Sequence, residues 1–289
     1  MQSLKEEKMI NIETIPKVSQ VELRSFIAEK LAEENLWIVN RREKPVVPKS
    51  TIYTRYIKRI IDVVLSGVVL IILLPVNSVL AICTYLDVGT PIFFMQERLG
   101  KDERPFKIVK FRNMTNDRDE KGELLPPYKR VTKFGRFVRK TSLDELLNFW
   151  SIFKGDMSII GPRPLPTGYL PRFSNRHRAR HLVRPGLECP VIRPEGFRSS
   201  WDTQLENDIY YVENVSFALD VKMCLLLFKM VFDSKSSEIR GSGEIGTFLG
   251  YSKDGIAIDS HLVPIRYVQM YEKNKKEMLK IEETDDGEI

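Results

Sequence analysis

A run of 24 residues without a charged side chain, VVLSGVVLIILLPVNSVLAICTYL, extends from Val63 to Leu86. Because an α-helix rises about 1.5 Å per residue, this run is long enough to cross a hydrocarbon core of about 30 Å. Lys and Arg residues flank it on both sides, so the preference of basic residues for the cytoplasmic side applies to both ends. Pro75 lies at the middle of the run, where it removes a backbone hydrogen bond, and two polar residues follow. We therefore expect a re-entrant membrane hairpin at about residues 57–86; a single span with a kink at Pro75 is the alternative.

The rest of the 289-residue chain has the composition of a folded protein, with 43% hydrophobic and 29% charged residues and a net charge of +6. A mean hydropathy of −0.22 excludes a protein with several membrane spans. The three cysteines include no C-x-x-C pair, which indicates neither a disulfide framework nor a structural zinc site. Residues 1–20 contain no apolar stretch typical of a secretion signal, so we expect the bulk of the chain to remain in the cytoplasm.

Positive charge is concentrated between Tyr128 and Arg184, where thirteen Lys and Arg residues face three acidic residues, a net charge of +10. Such a segment indicates an anionic partner, which composition leaves open as nucleic acid, a phospholipid surface or a phosphorylated small molecule. Aromatic residues are not interleaved with these basic residues as a base-stacking surface requires, and the segment contains no recognised nucleic-acid motif. We therefore expect no nucleic-acid partner.

The apolar patterns predict an α+β fold: a mostly helical monotopic membrane protein with a re-entrant N-terminal membrane helix, interfacial amphipathic helices and a small β-hairpin. Residues typical of strands around a turn at 100–102 predict the hairpin within 91–114. Helices are expected from Ser142 to Phe153 and from Phe217 to Phe232. Their apolar faces are broad enough for a core or for the plane of a membrane interface.

Three regions follow from composition: an N-terminal extension of unknown role at 1–50, a central domain at 51–235, and a linker with a C-terminal extension at 236–289. Apolar residues at helical spacing, Val21, Phe26, Ile27 and Leu31, predict an amphipathic helix in the first region. A Ser/Gly-rich linker followed by a surface helix is expected in the last one.

Two patterns with familiar spacing are weak signals in this context. Gly241 to Gly246 matches G-x-G-x-x-G, but a polar segment precedes it where a dinucleotide site requires a buried strand. His177 and His181 have the i, i+4 spacing of metal ligands, but they lie in an arginine-rich run that repels a cation. A solvated or phosphate-facing basic helix is the favoured interpretation of that run.

The strongest chemical signal is the pair of carboxylates in RKTSLDEL, residues 139–146, followed by KGDMSIIGPRP, residues 154–164. Acidic residues in the first turn of a helix have an ordinary role in stabilising it. Here a rigid Gly-Pro-Arg-Pro turn follows within twenty residues and presents an arginine. One carboxylate can attack phosphorus while its neighbour holds the Mg²⁺ that neutralises a diphosphate, and arginines bind phosphate oxygens.

Several motifs of the chain, and their order, resemble those of the bacterial sugar transferase family, the monotopic polyprenyl-phosphate phosphoglycosyl transferases. The resemblance covers about residues 53–235 and rests on the membrane hairpin, Lys110-Phe-Arg112-Asn-Met, the two segments above, Arg184-Pro-Gly186 and Tyr210-Tyr-Val-Glu-Asn. It implies a phosphoglycosyl transferase at the cytosolic face of the bacterial cytoplasmic membrane. Such an enzyme moves a sugar 1-phosphate from a UDP-sugar to a polyprenol phosphate, expected to be undecaprenyl phosphate, and begins the synthesis of a surface glycan.

The resemblance also implies residue roles. Asp144 would be the nucleophile that forms a phosphosugar-aspartyl intermediate, and Glu145 would bind Mg²⁺. The substrate phosphate-binding residues would be Lys110, Arg112, Arg139 and Arg163. Membrane lipids are further expected partners, and a homo-oligomer is left open, as is the identity of the sugar.

The chain departs from the family pattern at three places: Leu74 precedes Pro75, Leu147-Asn148 follow the carboxylates, and Leu187 to Pro194 replace a glycine-rich continuation. If the last segment contacts the donor, substrate specificity differs from the family pattern. A second hypothesis is a catalytically inactive membrane-anchored scaffold of a glycan assembly complex, in which the N-terminal helix and the C-terminal tail would bind partners. The intact Asp144, Glu145 and Arg163 argue against it.

Overall fold

One long helix and several pairs of short strands organise the chain in a computed structural model, which describes residues 7–15, 20–120, 122–190, 200–232 and 245–285. The helices are α1 (Gln20–Leu31), α2 (Trp37–Arg42), α3 (Lys58–Val88), α4 (Pro127–Arg130), α5 (Lys133–Lys140), α6 (Asn148–Lys154), α7 (Asn175–Arg178), α8 (Trp201–Asn214), α9 (Phe217–Phe232) and α10 (Ile265–Asp285). The strands are β1 (Met9–Ile10), β2 (Phe93–Leu99), β3 (Pro105–Phe111), β4 (Ser158–Ile160), β5 (Gly186–Glu188), β6 (Phe248–Tyr251), β7 (Ala257–Asp259) and β8 (Val263–Pro264). The predicted mostly helical α+β fold with one long apolar helix is confirmed.

Helix α3 contains the uncharged run and continues through Pro75 without interruption. With the π-helical turn that precedes it, Tyr53–Ile57, it forms a segment of 36 residues that is long and apolar enough to cross a membrane. The Ser78 hydroxyl donates to the Leu74 carbonyl at 2.9 Å, next to the proline. Most of the apolar side chains in the middle of α3 are exposed, as expected for a surface that lipid covers.

The N-terminal end of α3 is fixed to α6 and β4. Arg59 donates to the backbone carbonyls of Ile152 and Phe153 at 2.6 and 2.8 Å. Asp62, which is 2% exposed, accepts hydrogen bonds from the Ser158 hydroxyl and the Ile159 N–H, both at 3.1 Å. These contacts satisfy a buried carboxylate that would otherwise carry a large desolvation penalty.

The C-terminal end of α3 is fixed to the same body through other elements. Leu80 packs with Phe111 of β3 and Val138 of α5 in one buried cluster. The Thr132 hydroxyl donates to Asp87 at 2.6 Å. Gly89, whose positive φ of 70° ends the helix, follows directly. Both ends of the apolar helix therefore contact the part of the molecule that holds α5, α6 and the strands.

Two strand pairs lie between α3 and α8 along the chain. The predicted β-hairpin is confirmed: β2 and β3 pair antiparallel, and Gly100 lies in the turn because a Cβ there would meet the Arg104 carbonyl at 2.8 Å. Strands β4 and β5 pair in parallel, with Ser158 opposite Gly186. Buried side chains of α8 and α9, among them Tyr211 and Met223, pack against this second pair.

The arginine-rich run from Arg172 to Arg184 is not the single solvated or phosphate-facing helix that the sequence predicts. It folds into two short turns of helix, and three of its five arginines pair with acidic side chains of the protein. The pairs are Arg176 with Glu206, Arg178 with Glu103 and Arg180 with Asp208. Acidic residues far away in sequence thus neutralise three of these arginines, which a local charge count cannot detect.

The first and last segments of the chain share one hydrophobic core. Strands β1 and β8 pair antiparallel, with Met9 opposite Pro264. Leu23 and Ile27 of α1 are fully buried with Val263 and Tyr267. The predicted N-terminal helix and C-terminal helix are present, although Val21, expected on the apolar face of α1, is 77% exposed and Leu23 is buried instead.

Candidate active site

The two adjacent carboxylates lie in a short 3-10 turn rather than in a regular α-helix. Helix α5 ends at Lys140, and Ser142 adopts a left-handed conformation with φ 55°, which a helix cannot continue. Asp144 and Glu145 occupy the 3-10 turn Leu143–Glu145 that follows, and α6 begins only at Asn148. The helix predicted to start at Ser142 therefore starts six residues later, because Ser142 reverses the chain direction after α5.

Glu145 is the centre of a charged cluster. Its Oε1 accepts from Lys110 Nζ at 2.7 Å and from Arg163 Nη2 at 2.6 Å. Burial by itself raises the pKa of Glu145, but the charges of Arg163 and Lys110 outweigh burial and hold that pKa below its ordinary value. Glu145 is therefore ionised throughout the physiological pH range.

Asp144 is the more enclosed of the two carboxylates, with 8% of its surface exposed. Burial raises the pKa of Asp144 above its ordinary value, and the positive charge of Lys110 opposes this only in part. The negative charge of Glu145 acts in the same direction as burial. A buried carboxylate next to a second one with the opposite shift is an arrangement found at catalytic sites.

Arg163 is positioned by a close approach of two backbone segments. A Cβ at Gly161 would lie 2.6 Å from the Arg184 carbonyl, and a Cβ at Gly186 would lie 2.1 Å from the Gly161 nitrogen. Glycine at both positions therefore lets the Gly-Pro-Arg-Pro turn press against β5. From this turn Arg163 Nη1 also reaches the Leu187 carbonyl at 3.1 Å and Glu188 Oε2 at 3.4 Å.

A buried ion pair contacts the backbone of the Gly-Pro-Arg-Pro turn. Arg180 donates to Asp208 Oδ2 at 2.6 and 3.0 Å, and both side chains are less than a tenth exposed. The same guanidinium donates to the backbone carbonyl of Arg163 at 2.9 Å. This pair supports the backbone from which Arg163 extends.

The other two predicted phosphate-binding arginines have different surroundings. Arg139 Nε donates to Asn113 Oδ1 at 3.0 Å, and Arg139 also acts electrostatically on Asp144. Arg112 is 8% exposed, and its guanidinium donates to the backbone carbonyls of Val88 and Thr90, at the end of α3. The structure thus brings Lys110, Arg139 and Arg163 to the carboxylates, whereas Arg112 contacts the backbone at and just after the end of α3.

Within the described residues, neither histidine of the i, i+4 pair forms a hydrogen bond with the two carboxylates. His177 contacts the Tyr251 hydroxyl at 2.7 Å and Glu206 at 2.9 Å. Burial and the charge of Arg180 lower the pKa of His181 to about 4. Within the described ranges there is no group of three or more His, Cys, Asp or Glu side chains that could hold a metal ion. Residues 241–244 of the glycine-rich pattern and 191–194 of the divergent segment lie outside the described residues.

Sequence reasoning did not find Glu188, Arg180 and Asp208 as parts of the site. Glu188 lies in the segment where the chain departs from the family pattern, and this departure was a usable signal. Arg180 and Asp208 are 28 residues apart, and neither belongs to a motif. Their pairing depends on how α8 packs against the arginine-rich run, which sequence spacing does not reveal.

The sequence model of the family described as bacterial sugar transferase matches residues 53–234. The uncharacterized sugar transferase EpsL of Bacillus subtilis is 38% identical over 204 residues, which are 66% of this chain and 99% of that protein. A UDP-N-acetylgalactosamine-undecaprenyl-phosphate N-acetylgalactosaminephosphotransferase of Aeromonas hydrophila is 34% identical over 63% of this chain and 44% of its own length. A UDP-glucose:undecaprenyl-phosphate glucose-1-phosphate transferase of Escherichia coli K12 is 33% identical over 63% and 42%. The chain therefore spans nearly all of the first relative and less than half of the other two.

Proposed function

The chain belongs to the bacterial sugar transferase family, and we propose that it transfers a sugar 1-phosphate from a UDP-sugar to undecaprenyl phosphate. The products are a polyprenol diphosphate sugar, which begins a surface glycan, and UMP. The observation that carries this proposal is the buried Asp144 beside Glu145, whose charge Lys110 and Arg163 neutralise. The relatives from Aeromonas hydrophila and Escherichia coli are named for transfer of this kind.

The reaction proceeds in two displacements at phosphorus. A carboxylate oxygen of Asp144 attacks the β-phosphorus of the UDP-sugar, the bond from that phosphorus to the bridging oxygen breaks, and UMP leaves. A phosphate oxygen of the polyprenol phosphate then attacks the same phosphorus, and the bond to Asp144 breaks. The carboxylate is regenerated, and a nucleophile on the enzyme thereby divides one difficult transfer into two easier ones.

The basic side chains serve mainly to neutralise charge. Phosphoryl transfer requires positioning and electrostatic stabilisation more than other chemistry. We assign substrate phosphate oxygens to Lys110, Arg139 and Arg163, which surround the carboxylates. We assign Arg112 to holding the end of α3 against β3, because its hydrogen bonds go to Val88 and Thr90.

The residues present fit a Mg²⁺ ion that the protein and the phosphates of the donor would bind together. Mg²⁺ is usually held by one or two carboxylates together with water and substrate phosphates, so a cage of three protein ligands is not needed. Glu145 is the residue that would hold the metal, since both of its described contacts fall on one carboxylate oxygen, Oε1. When bound, Mg²⁺ supplies neutralisation of the negative charge on the diphosphate.

We place the enzyme on the cytosolic face of the bacterial cytoplasmic membrane as a monotopic protein, with α3 as a re-entrant segment. The support is that Asp62 near one end of α3 and Asp87 near the other both bond to the same folded body. Asp62 and Asp87 are 25 residues apart, about 38 Å along a straight helix, so a bilayer crossing would place these two contacts on opposite sides of a hydrocarbon core of about 30 Å.

Further apolar side chains are exposed where such a protein would meet lipid. Phe217, Val221, Leu225 and Phe228 form one exposed face of α9, while Leu219 and Met223 on its other side are buried. On α6, Trp150 and Phe153 are exposed and stack on each other. Helices with such faces suit the interfacial plane of a membrane.

The test is release of UMP from a panel of UDP-sugars by the full chain in detergent, with undecaprenyl phosphate and Mg²⁺. We expect release with at least one donor and loss of that release in Asp144→Asn. The panel also identifies the sugar. If folded protein released no UMP with any donor, the transferase proposal would be wrong, and the inactive scaffold would replace it.

A further inference from the structure

A cavity of about 440 Å³ lies beside the beginning of α3. Its volume is within the range of small-molecule sites in proteins, about 300–1,000 Å³. None of the six residues predicted for the active site lines it, so it is a separate feature of the molecule. Its lining comes from the segment before α3, from the β2–β3 turn, and from the residues around β4 and α8.

Positive charge dominates this lining. Five cationic side chains contribute to it: Lys49, Arg55, Lys58, Lys101 and Arg184. The acidic member of the lining is Asp62, whose carboxylate already accepts two hydrogen bonds from β4. The cavity therefore has an excess of positive charge, which favours an anionic ligand.

The cations differ in how far the protein itself satisfies them. Lys58 pairs with Asp220 at 2.6 Å, and Arg55 and Arg184 donate to a hydroxyl and to a backbone carbonyl. Lys49 and Lys101 are exposed, and neither forms a side-chain hydrogen bond or ion pair with any described residue. These two ammonium groups are the ones available to a ligand.

The position of the cavity indicates where the ligand comes from. Tyr56 lines the cavity, is 65% exposed and lies in the turn that leads into the apolar helix. The neighbouring Tyr53 packs edge-on against Phe217, the first residue of the exposed apolar face of α9. The cavity is thus close to surfaces that suit a lipid interface, where tyrosine is common and Lys and Arg meet acidic headgroups. Its wall also contains aliphatic side chains, among them Leu182, Val183 and Val215.

We propose that this cavity binds the phosphate headgroup of an acidic membrane phospholipid, with Lys49 and Lys101 as the principal cations. Such a site would hold the enzyme at a fixed depth and orientation beside α3, independently of the chemistry at Asp144. A soluble phosphate compound shares the anionic chemistry, but it makes no use of the apolar surfaces next to the cavity. The phosphate of a polyprenol carrier shares both features, so the experiment must separate it from a phospholipid.

The test is native mass spectrometry of the full chain in detergent with dioctanoyl phosphatidylglycerol, dioctanoyl phosphatidylcholine or farnesyl phosphate as the added lipid. We expect phosphatidylglycerol to bind more tightly than phosphatidylcholine. The double variant Lys49→Ala/Lys101→Ala should bind phosphatidylglycerol about tenfold more weakly, because two cations near the headgroup are lost. The matched control, Lys253→Ala/Lys276→Ala, removes two exposed cations that do not line the cavity and should retain full binding.

Equal binding of the two phospholipids, or equal binding of phosphatidylglycerol by both double variants, would overturn the proposal. Binding of farnesyl phosphate that depends on Lys49 and Lys101, without binding of phosphatidylglycerol, would also overturn it and assign the cavity to the carrier. The readout is binding rather than UMP release, so its result is independent of whether the chain is an active transferase. Circular dichroism of both variants verifies that they are folded.

Discussion

Burial and charge act in opposite directions on the neighbouring carboxyl groups of Asp144 and Glu145. Burial dominates at Asp144 and raises its pKa, whereas Arg163 and Lys110 dominate at Glu145 and lower its pKa. Only the ionised form of Asp144 can attack phosphorus, so its pKa should set the acid limit of activity.

Lys110→Gln should move this acid limit to higher pH. The positive charge of Lys110 lowers the pKa of Asp144, so its removal raises that pKa, and a higher pH is then needed to ionise the nucleophile. We expect the acid limb of kcat for UMP formation to shift to higher pH, measured from pH 5 to pH 9.

Lys107→Gln is the matched control, because Lys107 is an exposed residue of the same strand and is not among the charges that act on Asp144. Its acid limb should coincide with that of the parent protein. An unchanged limb in Lys110→Gln would show that another group sets the acid limit.

At the level of single residues, the sequence motifs predicted which charged residues lie near Asp144 and Glu145 better than they predicted the contacts of each one. The contacts of Lys110, Glu145 and Arg163 agree with a site built from separate motifs. Arg112 could not be distinguished from its neighbours by sequence, because its hydrogen bonds depend on where α3 ends relative to β3. Arg180 and Asp208 escaped prediction for the same kind of reason, since tertiary packing creates their contact.

Helix α3 is the element on which the membrane assignment depends. The sequence predicted its length and apolar character, while Pro75 alone could not decide between a re-entrant segment and a kinked span. In the structure the helix is continuous through Pro75, so its direction in the bilayer must be inferred from the contacts at its two ends. The β-hairpin was easier to predict because strand-type residues flank a turn that requires Gly100.

Cysteine accessibility can test the topology of α3 directly. The three native cysteines are replaced by serine, and single cysteines are introduced at Val47, before the helix, or at Lys107, after it. Both positions are exposed, so each should react with a soluble maleimide that is present on the same side of the membrane. We expect both to be protected in intact cells and both to react in inverted membrane vesicles.

Labelling of the two positions from opposite sides of the membrane would refute the re-entrant topology. It would instead establish α3 as a single span with a kink at Pro75. The buried Cys189 is replaced together with the other two, so that the introduced cysteine is the reporter of accessibility.

Across the whole molecule, the first and last described segments form one structural unit beside the family domain. Composition divides the chain into separate extensions at 1–50 and 236–289, whereas the structure joins parts of both through β1, β8 and a common core. Tyr251 connects this unit to the rest through its contact with His177. Pairing between segments about 250 residues apart leaves no local pattern in the sequence, so only the separate helices could be predicted.

Leu23→Ala should destabilise this shared core. Leu23 is fully buried among side chains from both ends of the chain, so the substitution leaves a cavity that costs about 2–5 kcal/mol. We expect a lower melting temperature in detergent and faster proteolytic cleavage within both terminal segments. Val21→Ala in the same helix is the control, because Val21 is 77% exposed and its truncation should change little. Cleavage confined to the N-terminal segment would contradict a common core.

The most direct test of the central claim, that Asp144 is the nucleophile, is the intact mass of the protein after reaction with the donor alone. The full chain is mixed with the UDP-sugar that the panel selects and Mg²⁺, without undecaprenyl phosphate. We predict a burst of UMP equal to the amount of enzyme and a mass increase of one sugar phosphate, located by peptide mapping at Asp144 and absent from Asp144→Asn. UMP that forms only when the lipid acceptor is present, with no adduct on the protein, or an adduct at another residue, would contradict the account.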